Sequence, residues 1–417
     1  MQFLKHALCA MHAAIAATCV SPGVLTAGEV DDLLIDGKFT FDARLRYEHV
    51  QQDNKPNDAS APTLRLRLGF VTGKFEDFQG LIEGEAIGHL AESFDDQVNG
   101  KSATYPVVAD PEGIELNRLQ VEYTGIAQTV VRVGRQRVNL DNQRFVGAVG
   151  WRQNEQTFDA ALISNTSIDG LVLTYAFVDQ VNRIFGKDHP QGEIEGSTHL
   201  FNAAYDWASV GKIVGYGYLI DAHEPASLHT SSSASFGLRV SGKQDVGEGF
   251  NLGYEAEYAH QSEYADNPNN FSLNYLHGDL SLSKDKFTLL GGVESLDGNG
   301  TIGFATPLAT LHKFQGYADA FLVTPVNGIV DMYGKFGFET KFDEPIGPIT
   351  ALSVAAWFHD FESEHSSASL GDEFDAELLA KIEDHFALGF KYANYEGVSV
   401  PNYPGREKVW LYLDVSY

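Results

Sequence analysis

The feature that most constrains this chain is a two-residue alternation of apolar and polar side chains. It recurs from residue 37 to residue 417. In Phe39-Thr-Phe41-Asp-Ala43-Arg-Leu45-Arg-Tyr47-Glu48, every odd position is apolar or aromatic and every even one polar. Thr63-Leu-Arg65-Leu-Arg67-Leu-Gly69-Phe70 repeats the pattern with the arginines on odd positions, and Val409-Trp-Leu411-Tyr-Leu413-Asp-Val415-Ser-Tyr417 ends on it. Period two marks strands with one apolar and one polar face. A soluble sandwich hides the apolar face; a membrane barrel turns it to lipid and keeps a polar lumen. The segments are about ten residues long, close to the ~9–11 needed to cross a bilayer at a tilt and longer than the ~5–6 usual in soluble sheets. The polar face carries ionic clusters, Arg44 with Arg46 and Glu83 with Glu85, as a wet lumen would.

The N-terminus supports export. Lys5 is the only charged side chain before Glu29, an Ala-rich apolar stretch runs from Ala7 to Val20, and small residues follow at Thr26, Ala27 and Gly28. This is the pattern of a signal peptide, too short to span a membrane as a helix. The expected organisation is a signal peptide over 1–28, cleaved after Ala27 or Gly28, and one barrel domain over 29–417. Both cysteines, Cys9 and Cys19, fall in the leader, so the mature chain relies on no disulfide; Ala-Ala-Thr before Cys19 is a poor lipobox.

Eighteen alternating segments are counted, from 37–49 to 408–417, with the sixth at 151–162. The class expected is all-β, a transmembrane antiparallel up-and-down barrel. Phe314 to Thr324 is a nineteenth candidate, but an even strand number keeps both termini on one side. The short links then share one end only if 297–327 is a single long outer loop, expected to be partly folded inward. Tyr417, after Leu413 and Val415, looks like the C-terminal aromatic signature read by the barrel-assembly machinery. Tyr47, Tyr123, Phe177, Tyr205, Tyr258 and Tyr392 fit interfacial girdles.

Several segments resemble the alginate-export family of outer-membrane porins: DGKFTFDARLRYEHV (36–50), TLRLRLGF (63–70), VGRQRVNLDNQRFVG (133–147), GWRQNEQTFDA (150–160) and TPLATLHKFQGYAD (306–319). The resemblance extends over nearly the whole mature chain. It implies an eighteen-stranded outer-membrane barrel, in line with the count, but does not by itself imply alginate as the solute.

Of the 13 arginines, ten lie between Arg44 and Arg152. Alternation points Arg44, Arg46, Arg65, Arg67, Arg118 and Arg132 into the lumen; Arg135 sits at a strand end, and Arg152 is placed there by the matched motif and a bulge. Guanidinium groups on one wall attract carboxylates and pair with them bidentately. The same wall offers Asp42, Glu48, Glu83, Glu85 and Glu122, and opposed rows of charge screen solutes. The lumen arginines therefore either select solutes or brace the wall by pairing with acids, or do both. Arg239, Asp331, Tyr333, Lys335, Lys381 and Lys391 add a sparser polar face. Trp151, Trp410 and Tyr412 fall on the polar parity as candidates for sugar contact.

The net charge of −28 argues against nucleic acid, whose binders carry a basic patch. It is assigned to loops, through Glu92, Asp95, Asp96, Glu362, Glu364, Asp372, Glu373 and Asp375, facing outer-membrane lipid and lipopolysaccharide. No ligand spacing there marks a calcium or other metal site. Gly298-Asn-Gly300-Thr-Ile-Gly303 matches a dinucleotide fingerprint by letter but lacks its strand-to-helix setting. No nucleophile elbow or zinc-protease motif occurs, and no cofactor or catalytic residue is expected. The function expected is passive diffusion of hydrophilic, mainly anionic solutes such as sugars, uronates and organic acids. A dedicated alginate or polyuronate exporter is the alternative, and a barrel enzyme or adhesion barrel the alternative of a different class.

Overall fold

The computed structural model describes residues 34–398 and 403–417; residues 1–28, expected as a signal peptide, lie outside them. Eighteen strands run in order: β1 (Lys38–Gln52), β2 (Ala59–Val71), β3 (Phe78–His89), β4 (Gly113–Tyr123), β5 (Thr129–Gln136), β6 (Thr157–Ile168), β7 (Leu171–Asn182), β8 (Glu193–Trp207), β9 (Gly211–Ile220), β10 (Ser233–Gly247), β11 (Phe250–Glu263), β12 (Ser272–Lys284), β13 (Phe287–Leu296), β14 (Ile329–Ile346), β15 (Ile349–Glu362), β16 (Ser369–Ile382), β17 (Phe386–Gly397) and β18 (Arg406–Ser416). Each pairs antiparallel with its sequence neighbours. β1 pairs with both β2 and β18, from Asp42 opposite Ser416 to Gln52 opposite Arg406, so the sheet closes. Phe41 and Tyr417 exchange backbone bonds of 3.0 and 2.9 Å at the end of that seam.

The alternation sets the two faces. Phe39, Leu45, Leu68, Leu280 and Leu289 are exposed on the outer surface, while intervening polar residues turn inward. Tyr47, Tyr205 and Tyr258 lie on the exposed face as girdle residues would. β4 breaks strict alternation. Glu83 opposes Arg118 and Gly84 opposes Leu116, so Asn117 is a bulge residue. The bulge puts Leu116 and Leu119 outside and turns both Asn117 and Arg118 inward to Glu83. Gly389 serves a close approach: a Cβ there would lie 2.0 Å from the Tyr412 ring that packs over it.

Turns between even and odd strands are short, such as 169–170 and 285–286, and share one end; most links at the other end are longer. Two of the long ones, 137–156 and 297–328, enter the lumen. The sixth strand begins at Thr157, not residue 151. Residues 151–156 are mostly buried and belong to the first inward loop, whose backbone carbonyls at 151–153 are taken up by wall arginines. The candidate at Phe314 to Thr324 forms no strand and lies in the second inward loop.

Leu280→Arg in β12 puts a charge into lipid and should destabilise the barrel by about 2–4 kcal/mol near the bilayer midplane. Ser281→Arg, facing the lumen, should cost less. Urea unfolding in lipid vesicles measures both, and equal costs would contradict the assignment.

Candidate functional site

The two inward loops are joined backbone to backbone. Val146 and Leu308 form a parallel bridge. The Gly147 N–H donates to the Leu308 carbonyl at 2.9 Å and the Thr310 N–H to that of Gln143 at 3.0 Å. The Gln156 amide donates to the carbonyls of Gly147 and Leu308 at 2.8 and 3.0 Å. Phe145, Val146, Phe304 and Leu308 pack with Tyr216, Tyr218 and Tyr275 of the wall. Arg144, fully buried, donates to Glu294 at 2.6 Å and to Thr306 at 3.0 Å.

The arginines of β1 and β2 hold the first loop by consecutive carbonyls. Arg44 bonds those of Gly150 and Trp151 at 3.1 and 2.9 Å, and Arg46 that of Trp151 at 2.7 Å. Arg65 reaches the Arg152 carbonyl and Arg67 that of Gln153, both at 3.4 Å. Their other donors meet acids: Arg44 pairs with Asp414 at 2.6 Å, Arg46 with Asp110, Arg65 with Asp42, and Arg67 with Glu85. Arg46 lines neither lumen cavity, unlike Arg44, Arg65 and Arg67, and serves as a clamp on the loop. Farther round the wall Arg118 pairs with Glu83 at 2.6 Å, Arg132 with Glu122 at 2.7 Å and Arg135 with Asp159 at 2.7 Å. None of these six residues lines the main cavity, nor does Glu85.

That cavity, of about 810 Å³, has Arg44, Arg65, Arg67 and Asp42 on one side. Across it stand Glu255, Asp279, Asp331, Tyr333, Asp375 and Glu377. The acidic wall is the main difference from the sequence reading. Glu373 and Asp375 belong to β16, are 0% and 1% exposed, and face the lumen; they are not loop acids. They accept the backbone N–H groups of Ala318 and Tyr317 at 2.6 and 3.0 Å. At Gly316 a Cβ would lie 2.4 Å from the Glu373 carboxyl, so that loop needs glycine to approach β16. The signal for this wall was present in Glu255-Ala-Glu257 and Asp375-Ala-Glu377, whose charges alternate with small residues on one parity.

A second cavity, of about 670 Å³, lies toward the long-loop end and includes Lys55, Arg152, Arg183, Arg406, Lys408 and Asp319. Arg152 is bonded to Glu48 at 3.3 Å and to Asp319 at 3.2 Å. Lys55, Arg183 and Arg406 donate to carbonyls of Ser102, Gln191 and Asp319, and pair with no carboxylate among the described residues. Burial without a counter-charge lowers the Arg183 pKa to about 10.

His312 lines both cavities. Its ring stacks on Trp151 at 4.6 Å and on Tyr317 at 5.0 Å, and the Lys391 ammonium sits 4.3 Å from the Trp151 ring and 3.8 Å from that of Tyr317. Trp410 is fully buried and Tyr412 6% exposed, both edge-on to Trp151; they support it and are closed to a sugar. Asp319 ties the assembly together, 2.9 Å from His312 and 2.8 Å from Lys408. Burial alone would raise its carboxyl, but Lys408, His312 and Arg152 hold it well below the usual range. His312 falls from 6.5 to about 3, because burial outweighs the pull of Asp319 and Lys391 adds repulsion. The neutral ring suits its contacts, Nδ1–H toward Asp319 and Nε2 facing Lys391 at 3.5 Å.

Fold and lumen together define an outer-membrane β-barrel with an ion-lined, loop-constricted interior. The alginate-export family profile matches residues 37–267, more than half of the chain, and the chain belongs to that family. No curated protein matches it. Similar solved structures include Acinetobacter baumannii OccAB3 (TM-score 0.72, 13% identity, covering 92% of this chain and 100% of that one) and OccAB2 of the same organism (0.71, 13%, 93% and 99%). Pseudomonas aeruginosa OpdK with vanillate is a third (0.68, 12%, 92% and 99%). At these identities the likeness is one of fold.

The unfolded chain protonates His312 near pH 6.5 and the folded one only near 3. The constriction should therefore be fully stable above pH 6.5 and loosen as the pH falls toward 3. Asp319 adds a loss only below the ordinary carboxylate range. Hydrogen exchange of residues 306–319, corrected for intrinsic rate, should show protection falling between pH 6.5 and 4, and His312→Gln should flatten that fall. Constant protection in the unmodified protein would contradict a neutral His312.

Proposed function

We propose that this protein is a passive channel for small hydrophilic anions, chiefly carboxylates of sugar-acid or organic-acid size. The observation that carries the reading is the trio Lys55, Arg183 and Arg406, cations of the outer cavity without carboxylate partners. A guanidinium whose charge is not already compensated is a ready partner for an entering carboxylate. Beyond His312 and Trp151 the anion meets Arg44, Arg65 and Arg67, while Tyr333 and the acids opposite offer hydrogen bonds to hydroxyl groups. Opposed rows of charge orient a solute that carries both. No covalent step enters. That OpdK was crystallised with vanillate, an aromatic carboxylate, is consistent with this chemistry in a barrel of the same fold.

Family membership favours a second reading, export of a uronate polymer. The loops weigh against it: joined to each other inside the lumen, they are bounded by cavities of about 810 and 670 Å³ that share His312, a size that suits single small solutes. A polymer would need them displaced.

Reversal potentials in planar bilayers under a potassium chloride gradient test the proposal. The expected result is anion preference, reduced in Arg183→Gln/Arg406→Gln and in Arg44→Gln/Arg65→Gln, with current block by added uronate. Cation preference, or no conductance, would overturn it. Conductance of oligouronates only after shortening of loop 297–328 would favour the exporter.

A further inference from the structure

On the acidic wall three side chains converge in a way the channel reading does not use. Glu255 and Glu257 of β11 and His277 of β12 each bring one donor atom within 4.8 Å of the others. Register makes this local: Glu257 lies directly opposite His277, and Glu255 opposite Asp279. Two of the donors are buried without a hydrogen-bond partner among the described residues, Glu257 Oε2 and His277 Nδ1. Their side chains are 2% and 8% exposed. Buried polar atoms are nearly always satisfied, so a pair of orphans aimed at one point calls for a missing partner.

The surroundings orient both groups. The Tyr216 hydroxyl donates to Glu257 Oε1 at 2.6 Å, leaving Oε2 turned to the cluster. His277 Nε2 lies 2.8 Å from the Tyr333 hydroxyl and 3.5 Å from Asp279. With these acceptors on that side the ring proton belongs on Nε2, and the Nδ1 lone pair faces Glu255 Oε1 at 3.5 Å. A ligating histidine whose other nitrogen donates to an oxygen is the usual outer-shell arrangement of metal sites. Arg239, 2.8 Å from Glu255, supplies one positive charge against the three carboxylates of Glu255, Glu257 and Asp279.

We propose that Glu255, Glu257 and His277 form a binding site for one divalent transition-metal ion in the lumen wall. One imidazole nitrogen with two carboxylate oxygens suits zinc or its neighbours, at about 2.0–2.2 Å per bond, better than calcium, which takes oxygen alone. Glu255 and His277 line the main cavity, which gives the ion a path. If the channel reading holds, the bound ion offsets the acidic wall and shifts the lumen further toward anions; that consequence rests on the reading, the site does not.

Zinc titration of the full barrel in detergent, by calorimetry in a non-coordinating buffer, tests the site independently of conductance. One ion per barrel is expected. His277→Ala and Glu257→Gln should abolish it, with folding checked by heat-modifiable gel mobility. Tyr333→Phe should weaken binding about tenfold at unchanged stoichiometry, and Arg239→Gln, which frees Glu255, should strengthen it. No binding by the unmodified protein, or binding that survives both ligand substitutions, as at the exposed His223–Asp266 pair, would overturn the proposal.

Discussion

In a bilayer core every backbone N–H and C=O must find its partner within the protein, because no water is there to take it. The pairing of β1 with β18 meets that demand by leaving the sheet no edge. Once the sheet is closed, side-chain parity has only two destinations, lipid and lumen. Everything chemical in this protein follows from the residues sent inward, and from the need to give each of them a counter-charge or a hydrogen bond.

That need explains the arginine clamp. Four guanidinium groups on β1 and β2 face a low-dielectric interior, where a lone charge is costly to bury. Each is met by a carboxylate and by a carbonyl of residues 150–153. The first inward loop is therefore a set of acceptors threaded along a ladder of donors. Bracing and access to the cavities divide by position. Arg46 is spent on the loop, Arg44 is shared between loop and cavity, and cations without a carboxylate partner among the described residues include Lys55, Arg183 and Arg406 of the outer chamber and Lys313 of the main cavity.

The fold was legible because alternation is local and repeated. Eighteen strands and one long loop near residues 297–327 follow from it, and the bulge at Asn117 shifted parity without hiding Arg118. The lumen was less legible. Trp151-Arg152 alternates like a strand, but its partners, Asp319 and the β1–β2 arginines, are remote in sequence, so only the tertiary structure turns it into a loop. Glu373 and Asp375 of β16 read as loop charge until closure of the barrel turned them into the lumen. Arg183 and Arg406 are isolated in the sequence, and nothing local marks them as uncompensated.

The bond between the two inward loops also orders the assembly of the molecule in time. Gln156 and Leu308 are 152 residues apart, and Arg144 and Thr306 162. Closing so long an interval is entropically expensive unless the chain between is already organised. The strands from β6 to β13 lie within that interval, so their hairpins precede the seam between the loops. The seam between the loops is thus a late event relative to β6–β13, the stretch of wall that it spans.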